Sequence, residues 1–486
     1  MRSWLFFLVS IVFSLGSVAD IAVSHSQADM HKLAWLYGGV EGDLIWFDDS
    51  GLTLSGMALI GLLDDLGIDP GAVSEPESDE TQLIDRLYSK ALLDLLERIK
   101  FVKERGIERD IGDEGIKLLE AINNAELSAY IASILPSYDE VLKIRRMIRV
   151  YKIQLDVDWP SVTRVNFKLG QSSQQVQRLR WMLTVLGDLE NSELTRYREA
   201  IYDPMVIQGI KSFQRRHGLT ANGELDEPTV QALNISPKRR VIQMQQNLWR
   251  WLMLPSSPPP QYIKINIPNY SLELFVLGEL DLSMKVIVGK PSSPTPVLLT
   301  RVTRMTINPY WTPPTSIIRS ELLPLNSREP GYLNHKGFEL HPVAKKDNPV
   351  IKLINIAPRQ LAELLKQYRL VQAPGKDNAL GQLRFTIPNT ESIYLHDTPQ
   401  KKLFAGDNLA LSHGCIRLEK AVALFEYILS TQDNAEEIRR ALGQPNTRYV
   451  SLSHSIPIFI TYLTAWVDSR GKLQLRPDIY HLDREI

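Results

Sequence analysis

The sequence predicts an α+β, multidomain fold, with helical modules first and a β-rich domain last. Three observations carry this. The chain has 486 residues, and at roughly 100–200 residues per domain it holds more than one core. Its apolar residues recur at helical spacing through the first half. After Pro255-Ser-Ser-Pro-Pro-Pro260 they give way to short β-branched and aromatic runs.

Taken in order, Arg2 precedes an apolar run from Trp4 to Leu15, and small residues follow at Ser17 and Ala19. Residues 1–19 are therefore expected to be a signal peptide. An uncleaved anchor is the alternative, although the run is shorter than the roughly 20 residues of a spanning helix. Residues 20–160 are expected to form a helical scaffold, in which Leu83, Leu87, Ala91, Leu95 and Ile99 fall on one helix face. Ser137, followed by Glu140, reads as a capping box before Val141–Val150.

Residues 161–254 form the next unit. Leu169-Gly170, Val176, Leu179, Leu183, Leu186-Gly187, Phe213-Gln214, Gly218-Leu219, Gly223, Thr229 and Leu233 predict amphipathic helices joined by glycine turns. A basic, tryptophan-bearing helix is expected over Asn247–Leu254. The prolines at 255–260 then mark a linker, since proline cannot continue a helix. Residues 261–486 are read as the β-rich domain, with strands at Tyr262–Ile267, Ser271–Leu277, Met284–Val288, Leu383–Ile387 and Ser392–His396. Ile456–Val467 and Lys472–Arg476 read as a terminal hairpin around Ser469-Arg470-Gly471. Residues 313–374 are a proline-punctuated insert with a helix at Pro358–Tyr368, expected to act as a lid.

Composition narrows the function. A formal net charge of −1 offers no polycationic footprint, so nucleic acid is not an expected partner. The acidic stretch from Asp43 to Glu97 and the basic one from Arg145 to Arg250 read as solvated faces. Cys415 is the only cysteine. No internal disulfide can form, and an exported protein keeps such a thiol either buried or in use.

The chemistry-bearing residues are Ile393-Tyr394-Leu395-His396-Asp397 and Ser412-His413-Gly414-Cys415-Ile416-Arg417-Leu418. A cysteine nucleophile works as thiolate, and at a pKa near 8.5 it needs an imidazole or a helix N-terminus beside it. His396 ends a predicted strand. Cys415 precedes the amphipathic run Leu418–Leu429, whose helix N-terminus is expected to favour the anion. Gly414 leaves room for a substrate carbonyl and frees backbone N–H groups for an oxyanion hole. His413 is a second candidate base, although a loop histidine so close to the sulfur more often orders a turn. Zinc on His396, His413 and Cys415 is chemically allowed but lacks a fourth ligand, so no metal is expected there.

A strand histidine followed by Ser-His-Gly-Cys resembles the signature of the L,D-transpeptidase family. Asn308-Pro309-Tyr310-Trp311-Thr312-Pro313-Pro314 and Gln372-Ala373-Pro374-Gly375 extend the resemblance. The helical unit around 161–254 resembles the three-helix peptidoglycan-binding module, from which it departs at Asn222. The architecture is similar to that of the large Gram-negative members. The resemblance implies that Cys415 attacks a tetrapeptide stem at meso-diaminopimelate and releases D-Ala. A second stem's amine then closes a 3–3 cross-link. It implies His396 as base and the Asp397 backbone carbonyl as its orienter. Arg417, Tyr394, Trp311 and Ser412 would line the substrate site, with Arg417 either binding a stem carboxylate or ion-pairing within the protein. It also implies a periplasmic location, carbapenem sensitivity, and peptidoglycan stems as partners beside other cell-wall synthesis enzymes, and that no cofactor is required. Attachment of a lipoprotein to the wall, and a wall-binding scaffold without catalysis, remain the alternatives.

Overall fold

Burial of one apolar stripe per helix and one face per strand builds two separate units. The computed structural model describes residues 27–70, 80–103, 112–190, 199–343, 349–354, 356–433, 435–442 and 444–483. The expected signal segment, 1–19, lies outside them. One unit comprises the described part of Met1–Ile153 with Met244–Ser256, the other Gln154–Gln243 with Ser257–Ile486.

In the first unit a small hairpin, β1 (Phe47–Asp48) with β2 (Gly51–Leu52), sits among helices. The long helix Thr81–Lys103 buries Ile84, Tyr88, Leu92, Leu95 and Leu96, whereas Leu83 is 56% exposed. The buried stripe is thus rotated by one residue from the expected face, because two apolar residues stand side by side at 83 and 84. The carboxylate of buried Asp85 accepts from the amides of Ile45 and Trp46 and from the Tyr37 hydroxyl. Ser137 and Glu140 form no capping box. The helix Asp139–Lys152 begins after Tyr138 without a side-chain cap. Ser137, one position too early, donates instead to the Ser256 carbonyl. The basic helix expected from Asn247 starts earlier and spans Pro237–Trp251.

The second unit begins with the helices Gln174–Val185, Pro204–Arg216 and Glu227–Leu233, capped by Ser173, Asp203 and Asp226. Val176, Leu179, Leu183, Ile210, Phe213 and Leu233 make its core, while Leu169 stays 66% exposed. Gln214 is fully buried. Its amide donates to Asn222, the Glu224 carbonyl and Thr229, and its oxygen accepts from the Gly223 amide.

The strands are β3 (Gln261–Asn266), β4 (Ser271–Val276), β5 (Glu279–Gly289), β6 (Leu298–Ile307), β7 (Phe338–Pro342), β8 (Ile351–Lys352), β9 (Tyr368–Gln372), β10 (Leu383–Thr386), β11 (Tyr394–His396), β12 (Ala410–Ser412), β13 (Ile416–Leu418), β14 (Arg448–Thr461), β15 (Ala465–Val467) and β16 (Leu473–Leu475). The main sheet has nine strands ordered β12-β5-β13-β11-β10-β6-β14-β3-β4, and β4 also pairs with β5, closing the sheet on itself. Its inner face buries Met305, Ile307, Leu383, Phe385, Leu395, Ile416 and Leu418 together with Leu424, Phe425 and Ile428 of the helix Ala421–Ser430. The expected terminal hairpin is shorter: β15 pairs with β16, whereas Ile456–Thr461 belongs to β14 in the main sheet.

The insert is a folded piece with a core of its own. Its sheet runs β8-β7-β9, and Leu322, Leu333, Phe338, Leu340, Leu361 and Leu370 pack together. The expected helix at Pro358–Tyr368 ends at Leu364, and Tyr368 opens β9.

Candidate active site

Period-two alternation decides which side chains leave the core. Since Leu395 and Ile416 point inward, Tyr394 and His396 on β11 share the outer face with Cys415 and Arg417 around β13. The two strands are parallel, with Leu395 opposite Ile416 and His396 opposite Arg417. On the other side of β11, antiparallel β10 places Arg384 opposite His396 and Thr386 opposite Tyr394, and β6 places Thr306 opposite Arg384. One row across the sheet therefore reads Arg417, His396, Arg384, Thr306. The row beside it reads Cys415, Tyr394, Thr386.

His396 is buried, and its Nδ1 lies 2.5 Å from the Asp397 carbonyl. A carbonyl only accepts, so Nδ1 carries the proton and Nε2 keeps its lone pair. Asp397 is itself pinned: its carboxylate accepts from the Gln382 amide at 3.0 Å and from Lys401 at 2.7 Å. Gly381, in a left-handed conformation, makes room for it, because a Cβ there would lie 2.3 Å from the carboxylate. Burial, then the Arg417 charge, lowers the His396 pKa to about 3 against the pull of the Asp397 carbonyl. The resting imidazole is neutral.

The half-buried Cys415 sits in the turn between β12 and β13. Burial raises its pKa, and hydrogen bonding to Tyr394 and the charges of Arg417 and Arg384 oppose the rise. The resting sulfur is a thiol, 4.0 Å from the Ser392 carbonyl and against the Tyr394 hydroxyl. Among the described residues no hydrogen bond joins it to either imidazole. The helix expected just after it, over Leu418–Leu429, begins at Ala421, with β13 between it and the sulfur in sequence.

Gly414 adopts φ +112°, and a Cβ there would press on Ile393 at 3.0 Å. Its amide is not free for an oxyanion, because it donates to the Ser412 hydroxyl at 3.1 Å. That hydroxyl donates in turn to the Cys415 carbonyl at 2.6 Å. Buried Ser412, expected at the substrate surface, thus ties the turn instead. The Cys415 amide makes no hydrogen bond among the described residues. His413 is exposed and turned to the insert, with Nε2 2.7 Å from Glu321 and 3.3 Å from Lys290. It does not meet the sulfur.

Arg417 donates to Gln400 at 3.0 Å, while its Nε is buried and unpartnered. No carboxylate ion-pairs with it among the described residues. Trp311 exchanges backbone bonds with Gln372 of β9, packs on the insert's core and reaches the Tyr394 hydroxyl. Arg384, Thr306 and Thr386 escaped sequence reasoning. Strand alternation from Leu383 marks Arg384 and Thr386 as outward, but nothing local says what they face. Among the described residues no group of three His, Cys, Asp or Glu side chains could hold a metal ion.

Residues 260–445 match the family model for the L,D-transpeptidase catalytic domain, and residues 172–233 match the one described as "Putative peptidoglycan binding domain". A Haemophilus influenzae protein named "Putative L,D-transpeptidase" is 31% identical over 303 residues, 61% of this chain. The chain spans 59% of that relative's length. An L,D-transpeptidase structure from Mycobacterium smegmatis is similar at 15% identity and a TM-score of 0.21, over 42% of this chain and 60% of that one. Another, from Stackebrandtia nassauensis, is similar at 12% identity and a TM-score of 0.23, over 62% of this chain and 97% of that one.

Proposed function

We propose, for a chain that carries an L,D-transpeptidase catalytic domain and a peptidoglycan-binding domain, that it forms 3–3 cross-links between peptidoglycan stems in the periplasm through a Cys415 thioester. The observation that supports this most is the parallel pair of β11 and β13. It sets His396, held by the Asp397 carbonyl, on the same sheet face as Cys415.

The sulfur attacks the carbonyl of the third stem residue, meso-diaminopimelate. The imidazole takes the thiol proton and passes it to the departing amine as the C–N bond breaks, releasing D-Ala. A second stem's side-chain amine then attacks the thioester, a new amide forms and the thiol regains a proton. A neutral thiol beside a neutral imidazole suits this sequence, because the proton moves only once a carbonyl is in place, and resting catalytic contacts are commonly long. The Cys415 amide is the nearest candidate donor to the oxyanion. Arg417 and Tyr394 border the sulfur as donor-binding groups, and Trp311 closes the groove from the insert's side.

The test is incubation of disaccharide-tetrapeptide with the protein and with Cys415→Ala, products being read by mass spectrometry. Cross-linked dimer from the first and none from the second is the expected result. D-Ala release without dimer would sink the transferase reading. Transfer only to a lipoprotein lysine would replace the acceptor, and the absence of both products, with no one-to-one carbapenem adduct, would leave a scaffold.

A further inference from the structure

Arg384 stands directly across β10 and β11 from His396. Its guanidinium lies over the Tyr394 ring, 5.3 Å from the centroid. Among the described residues it has neither a carboxylate partner nor a hydrogen bond, and its Nε is buried and unpartnered. Next along the row, Thr306 is 1% exposed with an unpartnered hydroxyl, and the Thr386 hydroxyl on the same face is unpartnered too. A buried polar group without a bond keeps its desolvation cost uncompensated, so folds rarely leave several together unless something else completes them. A guanidinium flanked by two hydroxyls is a donor set whose complement is an anion. Its planar fork suits a carboxylate.

Position says which carboxylate. His396 lies between Arg417, on the cysteine's strand, and Arg384, on the far side. In the reaction proposed above, the imidazole hands its proton to the amine of the leaving residue, so that nitrogen must rest against the ring. In an α-amino acid one carbon separates nitrogen from carboxylate. The carboxylate therefore falls within about one strand spacing, ~4.8 Å, of the imidazole. Arg417 already gives one nitrogen to Gln400, whereas Arg384 gives none.

We propose that Arg384, with Thr386 and Thr306, forms a carboxylate subsite that holds the free C-terminus of the leaving D-amino acid. The proposal rests on the donor reading above and adds that the enzyme recognises where the donor peptide ends. The bond changes are unaltered. The S–C bond forms, the C–N bond breaks, the nitrogen gains the imidazole's proton and the amino acid departs with its carboxylate still charged. A donor capped as an amide brings no charge to Arg384, and one extended by another residue displaces it.

The test measures equilibrium binding to the full chain carrying Cys415→Ala, which removes acylation. The ligands are disaccharide-tetrapeptides ending in D-alanine or in D-alaninamide. The carboxylate form is expected to bind about 10- to 100-fold more tightly, as charge-assisted bonds allow. Adding Arg384→Gln should collapse that ratio to about twofold, and Arg384→Lys should restore part of it by keeping the charge without the fork. Iodoacetamide labelling of Cys415 in the Arg384→Gln single variant checks that the site is intact. If that variant does not fold, Thr306→Val in the Cys415→Ala background carries the test, with a fall of about threefold expected. An undiminished ratio in the folded Arg384 or Thr306 variant, or no preference in Cys415→Ala alone, overturns the proposal. A retained preference in a protein that makes no cross-links and releases no D-Ala would uphold the subsite while the proposed function fails.

Discussion

Buried polar groups are treated in opposite ways by the helical bundle and by the outer face of the β-sheet. In the bundle, among the described residues, buried Gln214, Arg216 and Arg180 each find a partner from the chain itself, although Arg180 Nη1 and Asp203 Oδ2 make no hydrogen bond. Gln214 spans a turn with four bonds, Arg216 grips Asp188 at 2.6 Å, and Arg180 meets Asp203 at 2.6 Å. On the sheet face, among the described residues, the Arg384 guanidinium lies over an aromatic ring without a hydrogen bond, and the Thr306 hydroxyl makes none either. Completed networks specify a structure. Incomplete ones, gathered in one place beside a thiol and a neutral imidazole, mark where a ligand supplies the missing half.

The contrast can be broken by mutation. The largest effect is expected on the sheet, where His396→Asn should lower kcat/KM by about 10²- to 10⁴-fold. Because the folded pKa of His396 is depressed to about 3, its contribution is fully present above the ordinary value of 6.5. That contribution is lost as pH falls from there toward 3. Denaturant midpoints between pH 7 and 4 should therefore decline less steeply in His396→Asn than in the parent. His217, buried and also depressed, adds a decline common to both. Next in size, Asp188→Ala in the bundle strips Arg216 of its carboxylate. It should cost about 3–5 kcal/mol of stability, read by denaturation, with Cys415 alkylation by iodoacetamide unchanged in the protein that remains folded. Smallest is Thr306→Val, which removes a hydroxyl that has no partner. It should raise stability by up to about 1 kcal/mol, the sign opposite to that in the bundle. A loss there would mean that the face is satisfied after all.

Much of this was legible in the sequence because it is written locally. The switch at the prolines, the periodicity of Val176, Leu179 and Leu183, the strand edges near Tyr262 and Leu383, and the pairing of a strand histidine with Ser412–Cys415 all come from neighbouring residues. What was missed depends on distant ones. Ile416–Leu418 is too short to announce a strand and exists because β5 and β11 flank it, so Cys415 was expected at a helix start. Two adjacent leucine-type residues blurred the face of the helix Thr81–Lys103. Gly414 and Ser412 are committed to each other by a turn that no spacing displays. Arg384 looked like any outward strand residue, since lacking a partner becomes visible only when β6 and β11 have been placed beside it.

The insert leaves the sheet after β6 and returns before β10, and those two strands are already paired, with Ile307 opposite Leu383. Its two ends are thus stitched together by the sheet itself, and its interior is filled by its own leucines and Phe338. Such a piece is a cassette plugged into a hairpin. Exchanging it for a longer, shorter or differently shaped one need not disturb the strands that carry the sulfur and the ring, so the choice of partner can diversify while the reaction stays the same.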